Sequence, residues 1–160
     1  METLLHLLNQ NARTSIKDLA VMSNQSEKAV EDQIKAYEAS GIIKGYQALI
    51  DWDKVKPSPV FALIELKVSP KKDMGFQEIA DRVCLLPEVQ SVYLMAGDYD
   101  LAVLVKGETM QDVAMFVAKR LSILDSVLST ATHFILARYK QDGVILGKDE
   151  EEDPRGQMVI

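Results

Sequence analysis

The sequence predicts an α+β protein in two parts, an N-terminal winged helix-turn-helix followed by a C-terminal ferredoxin-like domain of order βαββαβ. Three observations predict it. Apolar residues in the first forty positions recur at helical spacing, in short runs separated by tight polar turns. After Gly41 the helical period gives way to an extended one. From Val60 onward, strand-like and helix-like runs alternate, and the stretches Leu85-Leu86-Pro87-Glu88-Val89 and Ile123-Leu124-Asp125-Ser126-Val127 each close a helix and open a strand in the same way.

Leu4, Leu5 and Leu8 lie on one face of the first helix, which the polar Asn9-Gln10-Asn11 stops. Thr14 or Ser15 caps a second helix containing Ile16, Leu19, Ala20 and Val21. It ends at Met22-Ser23-Asn24-Gln25, where Asn24 tolerates a left-handed turn. Ser26 is the expected N-cap of the third helix, in which Val30, Ile34 and Tyr37 fall at i, i+4 and i+7, Glu27 suits the helix dipole, and Ser40-Gly41 closes the last turn. A short helix, a tight turn and a third helix are what is needed to hold one helix against a major groove, although trihelical units also serve as plain packing modules. Ile42 to Ile50 reads as a strand pair or a wing. Asp51-Trp52-Asp53 and Pro57-Ser58-Pro59 follow and mark a boundary, with the Trp52 ring expected to anchor the wing against the second domain.

In the second part, Val60 to Val68 is a strand, Phe76, Ile79, Ala80 and Val83 mark a helix, and Val89 to Ala96 and Leu101 to Val105 are strands. Val113, Phe116, Val117, Leu121 and Leu124 stripe a further helix, and Val127 to Ala137 is the last strand. Ala62, Ile64, Leu66 and Val68 face the helices, yet Phe61 and Leu63 make the opposite face apolar as well, and Leu101 to Val105 is apolar throughout. An apolar sheet face without helices is an interface signal, and predicts sheet-to-sheet dimerisation. Met74, Met95, Met110 and Met115 are expected as core or interface fillers, Cys84 as a small buried hydrophobe, and His133 as a buried or interface histidine.

Composition narrows the function classes. With 48% hydrophobic and 26% charged residues the chain is of ordinary globular make-up. No apolar run is long enough to span a bilayer, which takes about 20 residues, and Met1 to Gln10 lacks the pattern of a signal peptide. A cytoplasmic protein with no membrane partner is expected. One cysteine and two histidines cannot assemble a structural zinc site, so no metal is expected. The net charge is −6; residues 1–56 hold 7 basic and 8 acidic side chains, 57–147 hold 9 and 11, and 148–160 hold 2 and 5. Half of the excess therefore falls in the last thirteen residues, where Asp149-Glu150-Glu151-Glu152-Asp153 is expected to be a solvated, flexible tail.

Two stretches carry a resemblance: Ser26-Glu27-Lys28-Ala29-Val30 through Gln33-Ile34, ending in Gly41-Ile42-Ile43-Lys44-Gly45-Tyr46, and the turn Gly97-Asp98-Tyr99-Asp100. From Met1 to about Val144 the sequence resembles the Lrp/AsnC family, the feast/famine transcription regulators, the first stretch being similar to the family's recognition helix and the strand after it, the second to its signature turn between the middle strands. The resemblance implies a DNA-binding domain over 1–50, a linker over 51–59 and a ligand-sensing and oligomerisation domain of RAM type over 60–146, beyond which the charge run makes 147–160 the acidic tail. It implies double-stranded DNA as a partner. It also implies homodimers that assemble further and an amino acid or related small metabolite as effector, bound where sensing domains of neighbouring dimers meet.

On those grounds the expected effector contacts are Gly97, Asp98, Tyr99 and Asp100, the glycine allowing close backbone approach and an aspartate accepting a ligand ammonium. The alternative is a tight turn whose aspartates bond only local backbone. Thr130 and Thr132 are further candidates, with ordinary strand threonines as the alternative. The expected DNA contacts are Ser26, Lys28, Gln33 and Lys35 on the third helix together with Lys17 and Lys44, with Arg13 and Gln25 as helpers; Gln33 can bond a base edge if it points into the groove. Family members commonly place arginines in the second half of this helix, where the present chain has Gln33 and Ala36 and adds Glu31 and Asp32, each at helical spacing from Lys28 or Lys35. That departure motivates a second reading, a family member that senses small molecules or partner chains without binding DNA. A third, enzymatic reading comes from a resemblance of the two-part fold to sirohaem decarboxylases. An acidic tetrapyrrole calls for several converging cations, and outside the tail the sequence offers only Arg13, Arg82, Arg120 and Arg138 with two histidines. No catalytic constellation stands out, and neither a catalytic residue nor a cofactor is expected.

Overall fold

A computed structural model describes residues 3–69 and 75–146. The chain divides into two compact units, Met1–Ile50 and Asp51–Ile160.

In the N-terminal unit the helices are α1 (Thr3–Gln10), α2 (Ile16–Ser23) and α3 (Glu27–Ala39). Local chemistry sets their ends. Ser15, not Thr14, caps α2, its Oγ accepting from the Asp18 N–H at 3.1 Å and donating to the Asp18 carboxylate at 2.6 Å. Asn24 then turns left-handed at φ 56°, and Ser26 caps α3 by accepting from the Ala29 N–H at 3.2 Å. Gly41 closes α3 at φ 72°, a conformation glycine adopts without a Cβ penalty. Leu4, Leu8, Leu19, Ala20, Val30 and Tyr37 form the core, with Leu5, Ile16, Ile34 and Ile43 packed on it. Residues 42–50 read as a strand pair or a wing, and no strand pair forms. They run without a ladder partner among the described residues, and Ile42, Tyr46, Leu49 and Ile50 remain exposed; an extended sequence makes a strand only where another edge supplies hydrogen bonds.

The C-terminal unit is built on four antiparallel strands, β1 (Val60–Val68), β2 (Val89–Leu94), β3 (Leu101–Gly107) and β4 (Val127–Phe134), in the order β2-β3-β1-β4. Two helices cover one face: α4 (Gln77–Cys84) and α5 (Met110–Phe116), the latter running on into a π-helical turn, Val117–Leu121. This is the ferredoxin-like arrangement that the sequence predicts. Ile64, Leu66 and Val68 of β1 and Leu101, Val103 and Val105 of β3 meet Ile79, Val83, Phe116, Val117 and Leu121 in one buried core. Thr109 starts α5 with a reciprocal cap, its Oγ1 accepting from the Asp112 N–H while the Asp112 carboxylate accepts from the Thr109 N–H at 3.0 Å.

Several expectations are corrected here. The last strand stops at Phe134 rather than Ala137, and a short hairpin follows it, β5 (Lys140–Gln141) with β6 (Val144–Ile145), turned at Asp142-Gly143 with φ 48° and 85°. Asp-Gly is the sequence that a two-residue turn with both central φ positive prefers. Cys84 is exposed, because the stripe that buries Ile79 and Val83 lies about 100° round the helix from it. Met95, Met110 and Met115 are exposed in the single chain, which leaves the interface and not the core of their two expected roles; Met74 and the acidic tail lie outside the described residues. Trp52 lies in the C-terminal unit and packs there: its ring sits 6.5 Å from Phe61, and the Lys106 ammonium lies 3.8 Å over it.

Candidate DNA-contacting and effector sites

On α3, helical geometry sorts the expected DNA contacts onto two faces. Lys28, Asp32 and Lys35, at i, i+4 and i+7, form one exposed stripe flanked by Glu31. Among the described residues neither lysine has a carboxylate within 4.0 Å, so these charges stand solvated side by side and nearly cancel. Gln33 points elsewhere. It lies on the half-buried side, with its Nε2 donating to the Tyr37 hydroxyl at 2.9 Å and its Oε1 buried without a hydrogen-bond partner among the described residues. Five residues on from Lys28, Gln33 is turned about 140° round the helix from it, toward Val30 and Tyr37. Ser26 is occupied as the N-cap, leaving its exposed side for further contact. Lys17 is exposed on α2. Lys44 stands at the far end of α3, where its Nζ lies 2.9 Å from the position a Cβ on Gly41 would take; the negative end of the helix dipole favours a cation there. Lys28 and Lys35 are thus brought together, and Gln33 and Lys44 are not. The 42–50 segment is tied to α3 by Tyr46, whose hydroxyl donates to Glu38 Oε1 at 2.9 Å. Desolvation, followed by that hydrogen bond and the Glu38 charge, raises the Tyr46 phenol above its ordinary value of 10.0.

The turn between β2 and β3 is pinned to the end of β1. The Asp100 N–H donates to the Leu66 carbonyl at 3.0 Å, and the Asp100 carboxylate accepts from the Val68 N–H at 2.8 Å. Lys67, which sequence reasoning missed, spans the same junction: its Nζ donates to the Asp98 carbonyl at 2.8 Å and lies 3.8 Å from Asp100 Oδ1. Its only signal was a second charge on the outward face of β1, after Glu65. Asp100 therefore serves the turn itself, while the Asp98 carboxylate stands exposed. Beside it opens a recess of about 180 Å³ lined by Glu65, Lys67, Asp98, Tyr99, Ser129, Thr130 and Ala131.

Thr130 and Thr132 pair with Leu66 and Ile64, so by register both belong to the helix-covered face; Thr130 still borders the recess, and Thr132 does not. Gly97 is neither left-handed nor crowded, since a Cβ there would meet nothing within 4 Å. On the sheet's open face His133 Nε2 lies 3.5 Å from Glu65 Oε2, exposed rather than buried because its strand alternates it with the inward Thr132 and Phe134. Among the described residues no helix is long and apolar enough to cross a membrane, and no group of three or more His, Cys, Asp or Glu is placed to hold a metal.

Comparison with known proteins covers both units. Residues 61–145 match the Lrp/AsnC ligand binding domain, and residues 3–44 match a winged helix-turn-helix DNA-binding domain. The chain is 43% identical over 150 residues to the HTH-type transcriptional regulator YugG of Bacillus subtilis, covering 93% of this chain and 90% of that one. It is 28% identical over 137 residues to the HTH-type transcriptional regulator LrpA of Pyrococcus abyssi, covering 86% and 94%. Among solved structures it is similar to a transcriptional regulator of Neisseria meningitidis in its L-Met complex, with TM-score 0.70 and 25% identity over 86% of this chain and 88% of that one. AsnC of Escherichia coli shares the fold, with TM-score 0.64 and 21% identity over 86% and 91%.

Proposed function

From the premise that this chain belongs to the Lrp/AsnC family of transcription regulators, we propose that it is a ligand-responsive regulator that binds double-stranded DNA and senses an amino acid or a related small metabolite. The observation that carries the sensing half is the pinned turn: with Asp100 committed to Val68, the Asp98 carboxylate is left to accept a ligand ammonium at the mouth of the 180 Å³ recess, with Tyr99 and Lys67 beside it. A related regulator held with L-Met supports that ligand class. Gly97 contributes open space above the turn for a second chain or ligand.

In this reading the chain works as a homodimer that assembles further, joined through the sheet face that carries Leu63 and Leu104 and lacks helices. Effector binding where dimers meet alters which DNA half-sites are engaged together, and linkage makes the effect mutual: an effector that tightens DNA binding is itself bound more tightly on DNA. Lys28 and Lys35 supply phosphate contacts, with Lys17 and Ser26 at the helix start.

One observation favours a second reading, sensing without DNA binding. The exposed stripe of α3 interleaves Glu31 and Asp32 with its lysines, and Gln33 is turned inward to Tyr37, which leaves little to read a base edge. Fluorescence anisotropy of a labelled fragment from the protein's own upstream region, at two salt concentrations and with or without mixed amino acids, separates the two. Salt-sensitive binding shifted by amino acids is expected. No binding at low salt would overturn the DNA half and leave the sensor.

A further inference from the structure

The open face of the four-stranded sheet has a carboxylate at its centre rather than at its rim. Glu65 is flanked across the strands by Ala102 of β3 and Ala131 of β4, and the neighbouring row of the same face holds the pair Leu63 and Leu104. His133, across β4 from Leu63, closes the patch, with its Nε2 3.5 Å from Glu65 Oε2. No other cation comes within 4.0 Å of Glu65 among the described residues.

The remaining charges around the pair are engaged elsewhere. Lys67, next on the same face of β1, donates to the Asp98 carbonyl and lies against Asp100. Lys106 sits over the Trp52 ring and Arg138 over the Phe61 ring. Tyr93 of β2 flanks Ala102 from its other side, two strands away from Glu65. Lys119 and Arg120 ride on the π-helical turn, which packs on the helix-covered side of β4.

In the single chain the Glu65 side chain is 29% exposed and that of His133 57%, so water still solvates both. A second copy laid over Leu63 and Leu104 removes that water. A patch holding acid and base together is complementary to itself across a two-fold axis, where the same surface meets itself, and this makes a second copy of the chain the occupant. With the imidazole neutral, the pair carries one net negative charge, which is costly to cover with apolar surface. One further proton, on either partner, makes the pair neutral overall and offsets much of that cost. The covered pair therefore holds more protons than the open one, whichever atom carries them.

We propose that sheet-to-sheet association takes up a proton at each Glu65–His133 pair, so that the dimer tightens on the acid side of neutrality and loosens above it. The inference rests on the dimer reading given above and adds acidity as an input to the assembly. Its sign follows from linkage: the state that binds more protons gains as pH falls.

Fluorescence-detected sedimentation of the full chain in dilution series at pH 6 and pH 8, a range over which histidine changes charge, tests it. The dimer Kd is expected to rise at least about tenfold from pH 6 to pH 8, the change that one linked proton gives over one pH unit. Where dilution does not separate the protomers, the exchange rate between two labelled pools gives the same comparison. Glu65→Gln removes the charge that needs the proton, so its Kd should change less than about twofold over that range and stay near the wild-type value at pH 6. His133→Gln leaves the carboxylate alone and should keep the dimer weak at both. Because either substitution can disturb the sheet, the wild type supplies a second readout: the heat of dissociation at neutral pH, which changes with the ionisation enthalpy of the buffer when protons are exchanged. A wild-type Kd that ignores pH, a buffer-independent heat, or a pH dependence kept whole in Glu65→Gln overturns the proposal. Leu104→Glu, with far-UV dichroism unchanged, separates it from its premise. If association survives that substitution, the sheet face is not the contact and both readings fall; if association is lost there while the wild-type Kd ignores pH, only the proton linkage falls.

Discussion

The two units are stabilised by different kinds of information. The N-terminal unit has a core of six buried residues, and its shape is set by three side chains acting within a few residues of themselves: Ser15, Asn24 and Ser26. The C-terminal unit has nearly twice as many buried core residues, drawn from strands and helices far apart in sequence, and its turn at 97–100 is held by contacts 31 and 32 residues long. Short-range chemistry is enough to start and stop helices. Placing a carboxylate beside a recess takes a sheet.

The largest test of that contrast removes one fully buried side chain from each core. Ile64→Ala and Leu19→Ala should each cost about 2–5 kcal/mol, read by denaturant unfolding. If the units are as separable as their cores, Leu19→Ala weakens amide protection in α1 to α3 while near-UV signals of the C-terminal unit persist, and Ile64→Ala does the reverse. A single loss of both by either substitution would break the comparison. Next comes Asp100→Ala, which leaves the part-buried Val68 N–H without its acceptor and should cost about 1–3 kcal/mol. Faster amide exchange at Val68 and Asp100, with α1 to α3 unaffected, is the expected signature. Ser26→Ala, the local counterpart, should cost about 1 kcal/mol through loss of the α3 cap, visible as fraying at Glu27 to Val30.

A smaller effect is expected at the DNA surface. Lys28→Ala should weaken binding evenly across sequences and reduce the salt slope by about 1, whereas Gln33→Ala should disturb α3 packing more than base preference. Smallest of all is Tyr46. Its neutral phenol is favoured in the fold, so whatever it contributes is present below its ordinary value near 10 and lost as pH rises through the raised one. Ultraviolet titration of Glu38→Gln should bring that phenol back down, with little change in stability, because Tyr46 is exposed.

What was legible in the sequence follows the same division. Caps, left-handed turns and the βαββαβ order could be read, since Ser26, Asn24 and Gly41 act on their own neighbours and apolar periods mark buried faces. The Asp142-Gly143 turn belongs with these, since Asp-Gly carries its own turn signal. The direction of Gln33 and the division of labour between Asp98 and Asp100 were not readable. Each depends on a partner, Tyr37 or Val68, whose position follows from packing rather than from spacing. Lys67 was hidden for the same reason: an exposed lysine on a strand looks solvated until the turn it bonds is in place.

The placement of Trp52 has a spectroscopic consequence. It is the only tryptophan of the chain, and it lies in the C-terminal unit under the Lys106 ammonium and beside Phe61. Emission excited at the red edge of tyrosine absorption therefore comes from the C-terminal unit alone, while the three helices of the N-terminal unit are silent in that channel and weigh heavily in far-UV dichroism. An unlabelled sample thus carries two native reporters, one per unit, and a ligand that orders one of them will separate two melting curves that would otherwise be drawn as one.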